Sequence, residues 1–474
     1  MVFSSTIFTF LFLPIVLLVY YLSKEQYRNN VLLVASLLFY TYSEPQFVFL
    51  MMFSIIVNWG MALLIEKYRE DVFVCKLMLA IAVFTDLVIL FIFKYCDFTI
   101  TVFNMIFGSS LRILGIDLPI GISFFTFQAI SYVVDIYRGE GKVQKNLLKV
   151  GLYISLFPQL IAGPIVRYKT VAEQIDCRST TAEKFAQGVR RFIGGFCKKV
   201  LLANNLAVVS DKIISCQSYE GLPVGYAWIG AICFSLQIFY DFSGYSDMAI
   251  GLGKMFGFTF EENFNYPYIS KSMTEFWRRW HMSLGQWFRD YVYIPLGGSR
   301  VGVIRHILNL FVVWTLTGLW HGANFTFIVW GLIYFVGLVI EKYIVKPEKR
   351  KHFVGKAIWQ IVTLGVVIFA WVIFNSSGLK EGVQYWLAMI GIYYHNPIWG
   401  EQYYFIVKEN LVFIAAGLLF IFPIVPKISA KIKTSGRNDN IIILSTFLIY
   451  MLGFLWAVSF LILGSHNPFI YFNF

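Results

Sequence analysis

From Ile307 to Ile340 the chain carries no Asp, Glu, Lys or Arg, and the one side chain there that can be charged near neutral pH is His321. Apolar sequence of that length can cross lipid only as helix, because the bilayer core offers no water to satisfy an exposed backbone amide. An ionisable group inside such a run is costly and points to function; the competing reading is a histidine that only satisfies the packing. Gly318 and Gly322, spaced four apart around His321, would let a neighbouring helix approach closely beside it.

Similar runs at 7–22, 29–43, 46–66, 74–95, 118–136, 354–374, 403–424 and 441–463 bring the expected total to about eleven crossings. With 58% hydrophobic and 14% charged residues and a mean hydropathy of +0.67, the chain reads as an all-α polytopic membrane protein, one integral-membrane domain over 1–474. The run Ile7 to Leu22 precedes the first charge, Lys24, and no small-x-small cleavage site follows it, so it reads as a retained span. Lys24, Arg28, Lys67, Arg69, Arg138, Lys142 and Lys145 mark cytoplasmic loops, as do the basic stretches Lys342 to Lys356 and Lys427 to Arg437. Both termini are then extracytoplasmic, with residues 464–474 as an outer tail. The net charge of +12 follows from these loops facing anionic membrane lipids, and nucleic acid is not expected as a partner. Six cysteines without a CxxC pair indicate neither a disulfide framework nor a zinc site.

Between 146 and 300 the apolar pattern breaks into shorter pieces around Pro158, Pro164, Gly194-Gly195, Pro223, Pro267 and Pro295. Broken helices at membrane depth persist only against protein or a water-filled cavity, so a central funnel is expected here. Residues 182–204 carry Lys184, Arg190, Arg191, Lys198 and Lys199 among apolar residues, which suits an interfacial helix on lipid headgroups or an anionic substrate. In Glu275-Phe276-Trp277-Arg278-Arg279-Trp280-His281, helical periodicity puts Trp277, Trp280, His281, Leu284 and Phe288 on one face, with Arg278 and Arg279 opening the polar one.

Of six histidines, His306 and His352 flank spans and His395 and His466 fall in outer loops, which leaves His281 and His321 as candidates for chemistry. Tyr240 to Asp247 interrupts an apolar run with Asp241, Asp247 and several hydroxyls, groups that must face the protein interior or water. They could orient a histidine or line a polar path, alongside Trp280, Trp320, Arg278 and Arg279. None of the paired spacings of metalloenzymes is present, so no metal is expected. A buried neutral imidazole with no Ser or Cys elbow beside it suits general-base activation of a hydroxyl toward an ester or thioester.

Leu156 to Ile165, the Asp241 to Gly257 run, Glu275 to Leu284 and Gly318-Leu319-Trp320-His321-Gly322 together resemble the membrane-bound O-acyltransferases, in the bacterial polysaccharide branch of alginate and peptidoglycan O-acetylation and teichoic-acid D-alanylation. The resemblance implies a ring of transmembrane helices with re-entrant and interfacial helices around a central funnel, His321 as the catalytic histidine and His281 as the second histidine of the branch. It also implies a bacterial cytoplasmic-membrane enzyme with no tightly bound cofactor. Its donor would be acetyl-CoA or an acylated cytosolic carrier protein, and an extracytoplasmic SGNH-type transferase would pass the acyl group to glycan. The C-terminus Asn467-Pro468-Phe469-Ile470-Tyr471-Phe472-Asn473-Phe474 is similar to a terminus of this branch in which the tyrosine is a proposed acyl carrier, so Tyr471 joins the catalytic candidates. A proton-coupled transporter or channel, or a scaffold of a secretion complex, remain the alternatives.

Overall fold

The computed structural model describes residues 1–216, 218–347, 353–393, 397–434, 439–464 and 470. The regular structure of these residues is all helical, with no strand among them. The main helices are α1 (Phe8–Leu22), α2 (Arg28–Ser43), α3 (Val48–Lys67), α4 (Val72–Phe107), α5 (Ile122–Arg138), α6 (Ala182–Ile214), α7 (Val224–Met255), α8 (Met273–Trp277), α9 (Met282–Phe288), α10 (Val303–His321), α11 (Phe325–Val345) and α12 (Phe353–Asn375). Seven helices among the described residues are long and apolar enough to cross a membrane. An eighth crossing results if Leu411–Phe420 and Ile424–Lys431, bent by 64° at a break next to Pro423, form one span. Runs 29–43 and 118–136 are helices of 16 and 17 residues.

The middle of the chain breaks into short helices over 147–176 and 267–288, as its sequence suggests, but holds two long ones between them. Helix α7 runs unbroken for 32 residues through the polar stretch 240–247. Every residue from Cys233 to Gly253 is buried, so the carboxylates and hydroxyls face protein instead of lipid and the helix need not break. Residues 182–214, expected in part as an interfacial helix, form one helix of 33 residues with a π-helical turn over Lys198–Ala203.

The residues fall into two compact units, Met1–Phe192 with Met248–Glu261, and Ile193–Asp247 with Glu262–Phe474. In the first unit, α3 and α4 are tied by Asp86, which accepts from Ser54 Oγ at 2.7 Å and Asn58 Nδ2 at 2.9 Å. Asp71 caps α4 by accepting from the Phe73 and Val74 amides. In the second unit α10 and α11 form a hairpin closed by Gly322, Ala323 and Asn324, with Asn324 capping α11 through the Thr326 amide at 3.1 Å. A Cβ at Gly318 would collide with the Phe327 carbonyl, and one at Gly331 with the Trp314 carbonyl. Small residues therefore set this helix pair at backbone contact beside His321, as the Gly318 spacing predicts.

Candidate active site

His321 is the last residue of α10 and is 4% exposed. Rings surround it: Trp330 of α11 at 5.0 Å, Trp320 at 5.0 Å and Phe374 of α12 at 5.2 Å between centroids, each edge-on. The hairpin brings the first of these in because Gly318 and Gly331 let α10 and α11 touch, and Gly322 leaves room for the Phe327 ring. A rigid cage of that kind fixes an imidazole by packing.

His281 is placed differently from the expected single helix face. Helix α8 ends at Trp277 and α9 begins at Met282, and His281 lies between them at φ 44°, ψ 53°, in the left-handed region. Such a conformation costs a side-chain-bearing residue about 1–3 kcal/mol and is kept only where the surroundings fix it. Here the loop 263–265 does so. Asn265 N donates to Arg279 O at 2.9 Å and Met282 N to Asn263 O at 3.0 Å, on either side of the turn. Asn263 Oδ1 accepts from Ser283 N at 3.2 Å and Ser283 Oγ at 2.9 Å, and lies 3.2 Å from His281 Nδ1. A backbone N–H can only donate, so the Asn263 atom facing it is the oxygen, and His281 Nδ1 must donate as well. In the neutral ring the lone pair is then on Nε2. Burial first, and the nearby His321 ring second, hold the His281 imidazolium well below its ordinary range. The Trp320 ring contacts both imidazoles, 5.8 Å from His281 and 5.0 Å from His321.

The other sequence candidates separate into three groups. Trp280, 2% exposed, packs on Trp371 at 4.9 Å and on Phe276 at 5.6 Å, in the same apolar cluster as Trp330 and Phe374. Asp241 and Asp247 are occupied by the two lysines of the π-helical turn: Lys199 Nζ to Asp241 at 2.9 Å, both 2% exposed, and Lys198 Nζ to Asp247 at 2.5 Å. Lys199 is therefore neither a lipid anchor nor a free anion site, while Lys198 keeps 39% of its side chain exposed. Removing one partner from a fully buried pair such as Lys199–Asp241 costs about 3–5 kcal/mol, because the other charge stays behind. Arg279 is held by Glu275 at 2.8 Å, whereas Arg278 is exposed at the mouth of a cavity. Tyr471, His352, His395 and His466 lie outside the described residues.

That cavity, about 660 Å³, is within the usual size of a ligand pocket. His281 and Met282 line one part of it, and Tyr293, His306 and Lys342 another, with Arg278 and Arg289 also on its wall. His306 is not the plain span-flanking residue its position suggested. It is 2% exposed, with Nδ1 2.7 Å from the Tyr343 hydroxyl and Nε2 2.8 Å from the Tyr293 hydroxyl. Asn263 is the residue that sequence reading missed, and Lys199 and His306 are the ones it gave another role. Asn263 sits in an unpatterned loop and Lys199 in a basic cluster, where nothing local in the sequence names a partner.

A family model described as MBOAT, membrane-bound O-acyltransferase family, matches residues 142–379, which include both histidines. The chain is 44% identical over 393 residues to a probable alginate O-acetylase AlgI of Pseudomonas aeruginosa, covering 82% of this chain and 75% of the relative. It is 31% identical over 521 residues to a peptidoglycan O-acetyltransferase of Helicobacter pylori, covering 100% of this chain and 98% of that one. A teichoic acid D-alanyltransferase of Bacillus subtilis is 29% identical over 278 residues, covering 54% of this chain and 67% of its own.

Proposed function

The chain belongs to the membrane-bound O-acyltransferase family, and we propose that it carries acetyl groups from cytosolic acetyl-CoA to an extracytoplasmic polysaccharide through an acetyl ester on Tyr471. The observation that carries this reading is the pair of buried imidazoles, His321 and His281, both against the Trp320 ring. The cavity lined by His281 also has Arg278, Arg289 and Lys342 on its wall, three cations suited to the phosphates of the donor. Acetyl is favoured over D-alanyl because the alginate relative matches 82% of the chain and the alanylating one 54%.

In the first step His321 takes the proton of the Tyr471 hydroxyl while the phenolic oxygen bonds to the thioester carbonyl carbon. Collapse of the tetrahedral intermediate breaks the C–S bond, and the leaving thiolate takes the proton back from the imidazolium. His281, with Nδ1 donating to Asn263, accepts a hydrogen bond from the donor on Nε2. In the second step an extracytoplasmic SGNH-type transferase moves the acetyl group from the phenolic ester to a sugar hydroxyl; phenolate leaves more readily than an alkoxide would. The loop charges support the corresponding topology, with both chain ends outside a bacterial cytoplasmic membrane.

The test is to incubate purified full-length protein with radiolabelled acetyl-CoA and follow label on the protein and acetyl on the glycan in cells. Tyr471→Phe, which deletes only the hydroxyl, is expected to abolish both. Full glycan acetylation by Tyr471→Phe would show that the accepting hydroxyl lies elsewhere.

A further inference from the structure

The N–H of Ile470 donates to Asp241 Oδ2 at 2.9 Å, and Ile470 is 5% exposed. The other oxygen of the same carboxylate pairs with Lys199 at 2.9 Å, and that ammonium also donates to Asn204 Oδ1 at 2.8 Å. A carboxylate buried to 2% inside a helix needs both a counter-charge and hydrogen-bond donors. Lys199 supplies the charge. Helix α7 cannot supply the donor, because the amides beside Asp241 are engaged in its own i to i−4 ladder. A backbone N–H from the far end of the chain fills that position. The Ile470 side chain enters the apolar cluster that contains Phe239, Trp280, Trp330, Trp371 and Phe374, and two of those rings also enclose His321.

We propose that the Lys199–Asp241 pair is a receptor for the main chain of the C-terminal segment, and that Asp241 is thereby a positioning residue for it. The segment is held at two points, its amide by a charged acceptor and its side chain by an aromatic cluster. A tail that served only as an interfacial anchor would leave Ile470 in the headgroup region and need no buried acceptor. Tyr471 follows the anchored residue by one peptide bond, so the anchor limits how far its hydroxyl can range. This consequence rests on the acetyl-tyrosine reading; the anchor itself rests on the contacts of Ile470.

Accessibility measured at residue 470 tests the anchor apart from the chemistry. Full-length Ile470→Cys in native membranes is treated with a membrane-impermeant maleimide, against the same protein without that cysteine. Labelling is expected to be slow and to rise roughly tenfold or more with Asp241→Ala. Equal labelling rates for Asp241→Ala and its parent would overturn the proposal. Cys233, buried in the same helix, reports folding in the same sample. Where Asp241→Ala also exposes Cys233, Ile470→Pro decides, since it removes the N–H and leaves Asp241 and Lys199 intact. Acetyl transfer is expected to fall at least tenfold, and, where Tyr471→Phe has abolished acetylation, wild-type transfer by Ile470→Pro overturns the proposal. If Tyr471→Phe keeps full glycan acetylation while Asp241→Ala releases residue 470, the carrier reading fails and the anchor stands. Loss of acetylation with Tyr471→Phe but unchanged labelling sinks the anchor alone.

Discussion

The α10–α11 hairpin and the segment 263–293 supply one histidine each to the same aromatic cluster, the first from the end of an unbroken helix and the second from a left-handed residue between two short ones. His321 is fixed by rings and by two glycines that hold two backbones together. His281 is fixed by hydrogen bonds from a loop, which determine its tautomer as well as its place. A network that commits one nitrogen makes the other a directed acceptor. This division of labour is what variants can break.

The largest effect is expected from His321→Ala. Removing a general base costs on the order of 10² to 10⁴ in rate, and the cage of Trp320, Trp330 and Phe374 remains to hold the fold. His281→Ala should lose less and raise the KM for donor, measured as initial rates with purified protein and labelled acetyl-CoA. Equal losses in kcat for both variants, with KM unchanged, would erase the distinction between the two histidines.

Next comes the hairpin. Gly318→Leu drives a side chain into the Phe327 carbonyl, an overpacking that costs about 1–3 kcal/mol and separates α10 from α11. A lowered Tm together with lost activity is expected. Gly365→Ala in α12, where an added Cβ meets nothing within 4 Å, should leave Tm unchanged or raise it. If Gly318→Leu melted like wild type, close helix approach would not be what holds His321.

Regularity governs how much of this was legible in the sequence. Spans, the hairpin glycines and His321 follow from hydropathy and spacing, because lipid forces helix on any long apolar run. Asp241 and Asp247 were recognised as groups that must face inward, but their partners were not: Lys198 and Lys199 are adjacent in a stretch that reads as a basic surface, and the π-helical turn that aims them has no sequence signature. The break at His281 was missed for a similar reason. Its apolar neighbours fit helical periodicity through Phe288, and the force that bends the chain comes from Asn263 and Asn265, in a loop with no pattern of its own.

Asn263→Asp sharpens the comparison with a pH profile. The groups facing His281 are Asn263, the His321 imidazole and the rings of Phe242, Phe264 and Trp320. Burial lowers the pKa of its imidazolium, so the neutral form persists at neutral pH and is lost only as pH falls through that lowered value, below the ordinary value of about 6.5. A carboxylate at 263 would stabilise the imidazolium and raise the folded pKa. The acid limb of kcat/KM should therefore move to higher pH in Asn263→Asp, while the corresponding limb in wild type lies lower. An unmoved limb would mean that the protonation of His281 is not seen by the reaction.

The smallest effect is expected at Arg279, which shares the basic edge of this segment with Arg278 but not its surroundings. Its guanidinium is taken up by Glu275 at 2.8 Å and by the Asn265 carbonyl at 3.1 Å, and the ion pair is about 30% exposed on both sides. Such a pair contributes about 0.2–1 kcal/mol after solvent screening, and its charge is already neutralised locally. Arg278 is exposed and lines the cavity wall, where a donor phosphate would meet it. Arg279→Gln should change the donor KM by less than about fivefold and leave its salt dependence alone, since the pair's full contribution corresponds to no more than that. Arg278→Gln should raise the donor KM further and flatten its rise with ionic strength, because a cation that meets a donor phosphate directly is screened by salt. The reverse ranking in titrations at low and high salt would place the anion contact on the loop-held arginine instead of the cavity wall.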